Sequence, residues 1–141
     1  MGFAVWVDVA APPEAAFRYL ADPRRRPEWQ SSLRAVEDVA GDGETGTTWT
    51  DVTVLGVRPS MAVTRCEPFR LWEERGRWRG ITATLALRFV SVAGGERTRV
   101  EAAVDVRTPA WLAPVRVAIG LAGPRAVRSD LERAARCIDH A

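Results

Sequence analysis

Arg99-Val100-Glu101-Ala102-Ala103-Val104-Asp105-Val106-Arg107 is written with a period of two residues, and Thr108-Pro109 ends it. Val100, Ala102, Val104 and Val106 face one way, and Arg99, Glu101, Asp105 and Arg107 face the other, as in a strand with one buried and one wet face. Beyond Pro109 the period changes. Val127, Leu131, Ala134 or Ala135 and Ile138 recur at three to four residues, the spacing of a helix with one apolar side, and 112–121 is richer still in apolar side chains. An amphipathic strand followed by a long amphipathic helix implies a sheet with that helix laid across it. Gly120 and Gly123-Pro124 predict a kink or break in the helix.

Upstream, Leu85, Leu87 and Phe89 alternate with Thr84, Ala86 and Arg88, and Gly94-Gly95 joins this run to the next as a hairpin. Further turn signals at Gly41-Asp42-Gly43, Gly46, Gly56 to Pro59, Pro68 and Gly80 divide the region from Arg34 onward into an antiparallel meander of six strands. One more strand precedes them, with Phe3, Val5, Val7 and Val9 on one face and Ala4, Trp6 and Asp8 on the other. Ala11-Pro12-Pro13-Glu14 stops that strand and opens a helix that buries Phe17 and Leu20; Asp22-Pro23 closes it, and Pro27-Glu28-Trp29 starts a second, very short one.

Composition narrows the function classes. The 141 residues suit one domain, 1–141, and 47% hydrophobic with 27% charged residues suits a packed core. Twenty basic residues, all arginine, against eighteen acidic ones leave a formal charge of +2, and the longest basic run, Arg24-Arg25-Arg26, reads as a solvated helix edge; no nucleic-acid partner is expected. No apolar run approaches the ~20 residues of a membrane span. No secretory signal is recognisable, and Cys66 and Cys137 read as unpaired thiols, so the expected location is cytoplasmic.

Catalytic inventories are sparse. His140 is the only histidine and lies at the chain end, which argues against nucleophile-histidine chemistry, and with two distant cysteines it cannot build a zinc site; no metal and no cofactor are expected. More informative is the run Leu71 to Arg79, where Trp72, Glu74, Gly76 and Trp78 alternate with Glu73, Arg75 and Arg77. The first set is the inward one. It puts a carboxylate between two indoles, and such a group needs an inward arginine, water at a cavity mouth, or a raised pKa. Arg65 on the preceding strand is the structural partner expected of it; a polar anchor or general acid/base for a ligand is the functional alternative.

Strand, two short helices, six-stranded meander and long terminal helix is an order that resembles the START-like (SRPBCC) helix-grip superfamily. The wording is more specific. Val9-Ala10-Ala11-Pro12-Pro13-Glu14 with Phe17, Leu20-Ala21-Asp22-Pro23, Pro27-Glu28-Trp29, Gly46-Thr47-Thr48-Trp49, Cys66-Glu67-Pro68 and Gly94-Gly95 before Thr98-Arg99-Val100 are similar to the polyketide cyclase/dehydrase and lipid-transport group. The resemblance covers nearly the whole chain. It implies an α+β helix-grip fold, a curved antiparallel sheet of about seven strands (β-α-α-β6-α) wrapped around a long C-terminal helix, with an apolar cavity between them.

The expected ligand-binding residues are Trp29, Trp72, Glu74, Trp78, Leu85, Leu87, Phe89 and Val104, with Glu74 and Tyr19 as candidate proton-transfer groups. Trp29 either closes the cavity mouth or pegs its short helix to the sheet, and Tyr19 has no decided direction. Three functions stay open: binding or carriage of an apolar, ring-containing small molecule such as a lipid or polyketide; a polyketide aromatase/cyclase; and an interaction or regulatory domain forming a homodimer through Trp6 and the outer sheet face.

Overall fold

A computed structural model describes residues 2–140. Its strands are β1 (Gly2–Val9), β2 (Leu33–Ala40), β3 (Thr48–Thr53), β4 (Ser60–Glu67), β5 (Leu71–Trp78), β6 (Ile81–Val92) and β7 (Arg97–Arg107). They form one antiparallel sheet in the order β1-β7-β6-β5-β4-β3-β2, curved but unclosed, so β1 and β2 are its edges. Between β1 and β2 lie α1 (Pro13–Leu20), a 3-10 turn at Pro23–Arg25 and the single-turn α2 (Arg26–Trp29). The long helix α3 (Ala113–Asp139) crosses the concave face.

Alternation places the core. Val7 and Val9 of β1, Trp72 of β5, Leu87 and Phe89 of β6, and Val100 and Ala102 of β7 are buried against Leu20 of α1 and Leu131, Ala134, Ala135 and Ile138 of α3. All four buried α3 residues lie in its last third; from 113 to 130 none is buried. The helix end is tied down where Asp139 accepts the Ala10 backbone N–H at 3.0 Å.

Of the expected kink or break in α3, the break does not occur: the helix runs through Gly120, Gly123 and Pro124 for 27 residues. Pro124 removes one N–H from the ladder, and Gly123 serves another purpose. A Cβ there would lie 2.9 Å from Cε1 of Phe3, so this glycine lets the helix approach the first strand.

A bulge in β4 decides which of its side chains face inward. Met61 pairs with Gly76, Val63 with Glu74 and Cys66 with Trp72, whereas Arg65 pairs with Glu73. Two residues, Thr64 and Arg65, therefore occupy the outward phase where a regular strand holds one. The inward phase resumes at Cys66.

Candidate functional site

A chamber of about 410 Å³ lies between the sheet and the first two-thirds of α3. Met61, Trp78, Leu85 and Val104 line it from the sheet, and Ile119 and Val127 from the helix. Arg26, Trp29, Asp51 and Glu74 supply its polar side. The chamber exists because α3 packs tightly only from Leu131 onward and because β5 carries a glycine, Gly76, between the larger inward side chains of Glu74 and Trp78.

The polar cluster is built around Arg26. Its Nη1 donates to Glu74 Oε2 at 3.0 Å and its Nη2 to Glu74 Oε1 at 2.5 Å, while Nη1 also reaches Gln30 Oε1 at 3.2 Å. Trp72 Nε1 donates to the same Glu74 Oε1 at 2.8 Å. The guanidinium carbon stands 5.0 Å from the ring centre of Trp29 and 6.0 Å from that of Trp49, a cation placed against two indole faces. Burial works against the charged guanidinium, but Glu74 outweighs it and raises the pKa. The pair is buried, at 1% and 3% side-chain exposure.

Two expectations are corrected here. Arg26 is not part of a solvated edge: it is 1% exposed, because the one turn of α2 puts residues 26 and 29 on the same side and Trp29 is itself buried. Nor does Arg65 neutralise Glu74. The β4 bulge leaves Arg65 on the outer face, where it pairs with Glu67 at 2.9 Å.

Asp51 is the member the sequence reading missed. It sits on the inward face of β3, two residues after Trp49, whose Nε1 donates to its Oδ1 at 2.8 Å. Among the described residues no hydrogen bond reaches Oδ2. Burial pushes the Asp51 carboxyl up to about 6, with Arg26 and the Trp49 hydrogen bond opposing and Glu74 reinforcing the rise. The alternation Thr47, Trp49, Asp51 carried the signal, since all three are buried.

Of the residues singled out from sequence, Trp29, Glu74, Trp78, Leu85 and Val104 line the chamber. Trp72, Leu87 and Phe89 do not: they are packed core beyond its floor, under α1 and the last turns of α3. Tyr19 is likewise away from it. Its hydroxyl donates to Glu28 Oε1 at 2.9 Å, and burial, with Cys137 and Glu28, raises its pKa, so the phenol stays protonated as a structural donor. Trp29 is fully packed, which fits a peg, yet its Nε1 has no hydrogen-bond partner among the described residues. The described residues contain no cluster of three or more metal-ligating side chains.

The sequence matches the family described as polyketide cyclase/dehydrase and lipid transport over residues 3–138, and the chain belongs to that family. Its fold is that of the Zhui aromatase/cyclase from Streptomyces sp. R1128, at 17% identity and a TM-score of 0.80, covering 99% of this chain and 93% of that one. Similar likeness extends to a point mutant of norcoclaurine synthase from Thalictrum flavum, with a transition-state analogue (10% identity, TM-score 0.73, 98% and 93% covered), and to the protein DR_A0006 of Deinococcus radiodurans (22%, 0.70, 99% and 97%). At these identities the likeness carries the fold. No curated protein matches the sequence. Among the described residues no helix is long and apolar enough to cross a membrane.

Proposed function

We propose that the chain binds an apolar, ring-containing small molecule in the chamber between sheet and α3, as a carrier or binding protein. The supporting observation is the chamber itself. Its size lies within the usual 300–1,000 Å³ of small-molecule sites, its walls include Met61, Leu85, Val104, Ile119 and Val127, and Arg26, Asp51 and Glu74 are gathered in one cluster on it. Apolar walls give affinity; Asp51 and the Arg26–Glu74 pair orient one polar end of the ligand. Two free thiols, Cys66 and Cys137, fit a reducing compartment such as the cytoplasm.

The test is displacement of anilinonaphthalene sulfonate by apolar ring compounds, followed by Val104→Trp, which fills the chamber. Saturable, competable binding that this variant abolishes while its thermal midpoint is kept supports the reading; binding indifferent to the filling indole overturns it.

One observation favours a second reading, an aromatase/cyclase. Asp51 combines chamber access with a pKa of about 6, which suits a group that takes a proton from a substrate carbon and returns it to a leaving hydroxyl. Conversion of a polyketide-like substrate that Asp51→Asn stops, with substrate binding retained, distinguishes it.

A further inference from the structure

The sheet register gathers three segments at one end of the molecule. Ser60 pairs with Arg77 and Thr82 with Arg107, so the β3–β4 turn, the β5–β6 turn and the exit from β7 lie side by side, and a Cβ on Gly80 would stand 3.4 Å from Pro109 Cγ, four residues before α3. These segments expose apolar side chains to an unusual degree. Leu55 is 88% exposed, Trp111 76% and Leu121 81%, with Val54 and Val117 also exposed. Val117 and Leu121, one turn apart, form a stripe on the outer side of the helix whose inner side, at Ile119 and Gly123, walls the chamber.

Arginine predominates at this end: Asp105 is paired with Arg107 there and Glu37 with Arg58 of the β3–β4 turn, and further arginines are left over. No acidic residue occurs in 52–66, 75–95 or 106–129, whereas Arg77, Arg79 and Arg116 fall within those segments and make no ion pair among the described residues. Arg79 lies against the Trp78 ring at 5.2 Å, with Trp78 itself on the chamber wall. Exposed tryptophan and leucine ringed by arginine is the pattern of a surface that sits in a lipid headgroup layer, apolar tips inward and guanidinium groups at the phosphates. A second copy fits less well, since a two-fold contact through this patch would set like charges against each other.

We infer that this end of the protein docks on an anionic lipid bilayer, with Leu55, Trp111, Val117 and Leu121 entering the interface and Arg77, Arg79 and Arg116 contacting headgroup phosphates. Docking would bring the chamber, through Trp78 and Ile119, against hydrocarbon. The inference does not depend on the ligand proposal, because vesicle binding is read without any ligand.

Flotation with vesicles of phosphatidylcholine alone and of phosphatidylcholine mixed with phosphatidylglycerol tests it. Binding to the mixed vesicles only, weakening as salt rises and with Trp111 emission shifting blue, is the expected result. Changing Arg77, Arg79 and Arg116 each to Gln should weaken binding about fivefold per residue, and Trp111→Ser with Leu121→Ser should abolish it without altering the circular dichroism. Absence of flotation, equal flotation with both vesicles, or a lipid-free dimer in sedimentation that the serine variants dissociate while vesicles stay unbound would each overturn the docking.

Discussion

Arg26 and Glu74, 48 positions apart, form a bidentate ion pair at 1% and 3% side-chain exposure, whereas the other ion pairs among the described residues are solvent-accessible. The pair joins a one-turn helix to the middle of the sheet. Removing one partner leaves the other charge buried without its counter-ion, so Glu74→Gln or Arg26→Met should cost about 3–5 kcal/mol in urea unfolding. Replacing both with methionine should cost much less than the sum. Glu73→Gln, on the outer face of the same strand, should stay within about 0.5 kcal/mol.

Asp51 makes stability fall with pH where carboxylates usually make it rise. Its folded pKa, about 6, lies above the ordinary value of 3.8, so the native state holds the proton longer than the unfolded chain does. Its contribution is full below about pH 4 and is lost as pH climbs to about 6, a swing of about 1–3 kcal/mol. Asp51→Asn should remove this falling limb and gain stability at neutral pH relative to the parent. Carbon-detected NMR of the Asp51 carboxyl gives the midpoint; one near 4 would refute the assignment.

The uneven seating of α3 sets an order of amide exchange. Residues 113–123 hang over the chamber with no buried side chain, and Pro124 leaves the Gly120 carbonyl without its helical donor, whereas Leu131, Ala134, Ala135 and Ile138 are buried. Amides of 113–123 should exchange faster than those of 131–138, and an apolar ligand in the chamber should slow the first group selectively. Uniform protection along the helix would contradict this.

Gly76 provides a way to shrink the chamber without touching its polar side. A Cβ there would meet Met61 Sδ at 2.7 Å, and since a methionine end is flexible, Gly76→Ala should displace the thioether at a cost of about 1 kcal/mol. Affinity for anilinonaphthalene sulfonate should drop more than that stability change explains, as read by titration beside urea unfolding.

Period carried most of the fold: the alternations of Val100 to Val106 and of Trp72 to Trp78 and the spacing of Leu131 to Ile138 gave strand faces and helix side directly. The same alternation put Glu74 inside. Its partner was hidden because an arginine three residues before a buried tryptophan is betrayed only if α2 is read as one helical turn, and because a bulge, which periodicity does not announce, turns Arg65 away. Asp51 was legible in principle, as the inward residue after Trp49. The limits of the chamber were not, since Leu85 and Leu87 share a face and differ only in whether α3 overhangs or packs.

Thr64 is a residue the β4 ladder does not need for its count. Shortening the strand by that one position would leave Met61, Val63 and Cys66 opposite Gly76, Glu74 and Trp72, at the loss of its hydrogen bond to Glu73, whereas an insertion beside it would throw every later inward side chain out of phase. The strand thus tolerates length change in one direction only, and a natural variant lacking this threonine should keep the Arg26–Glu74 junction intact.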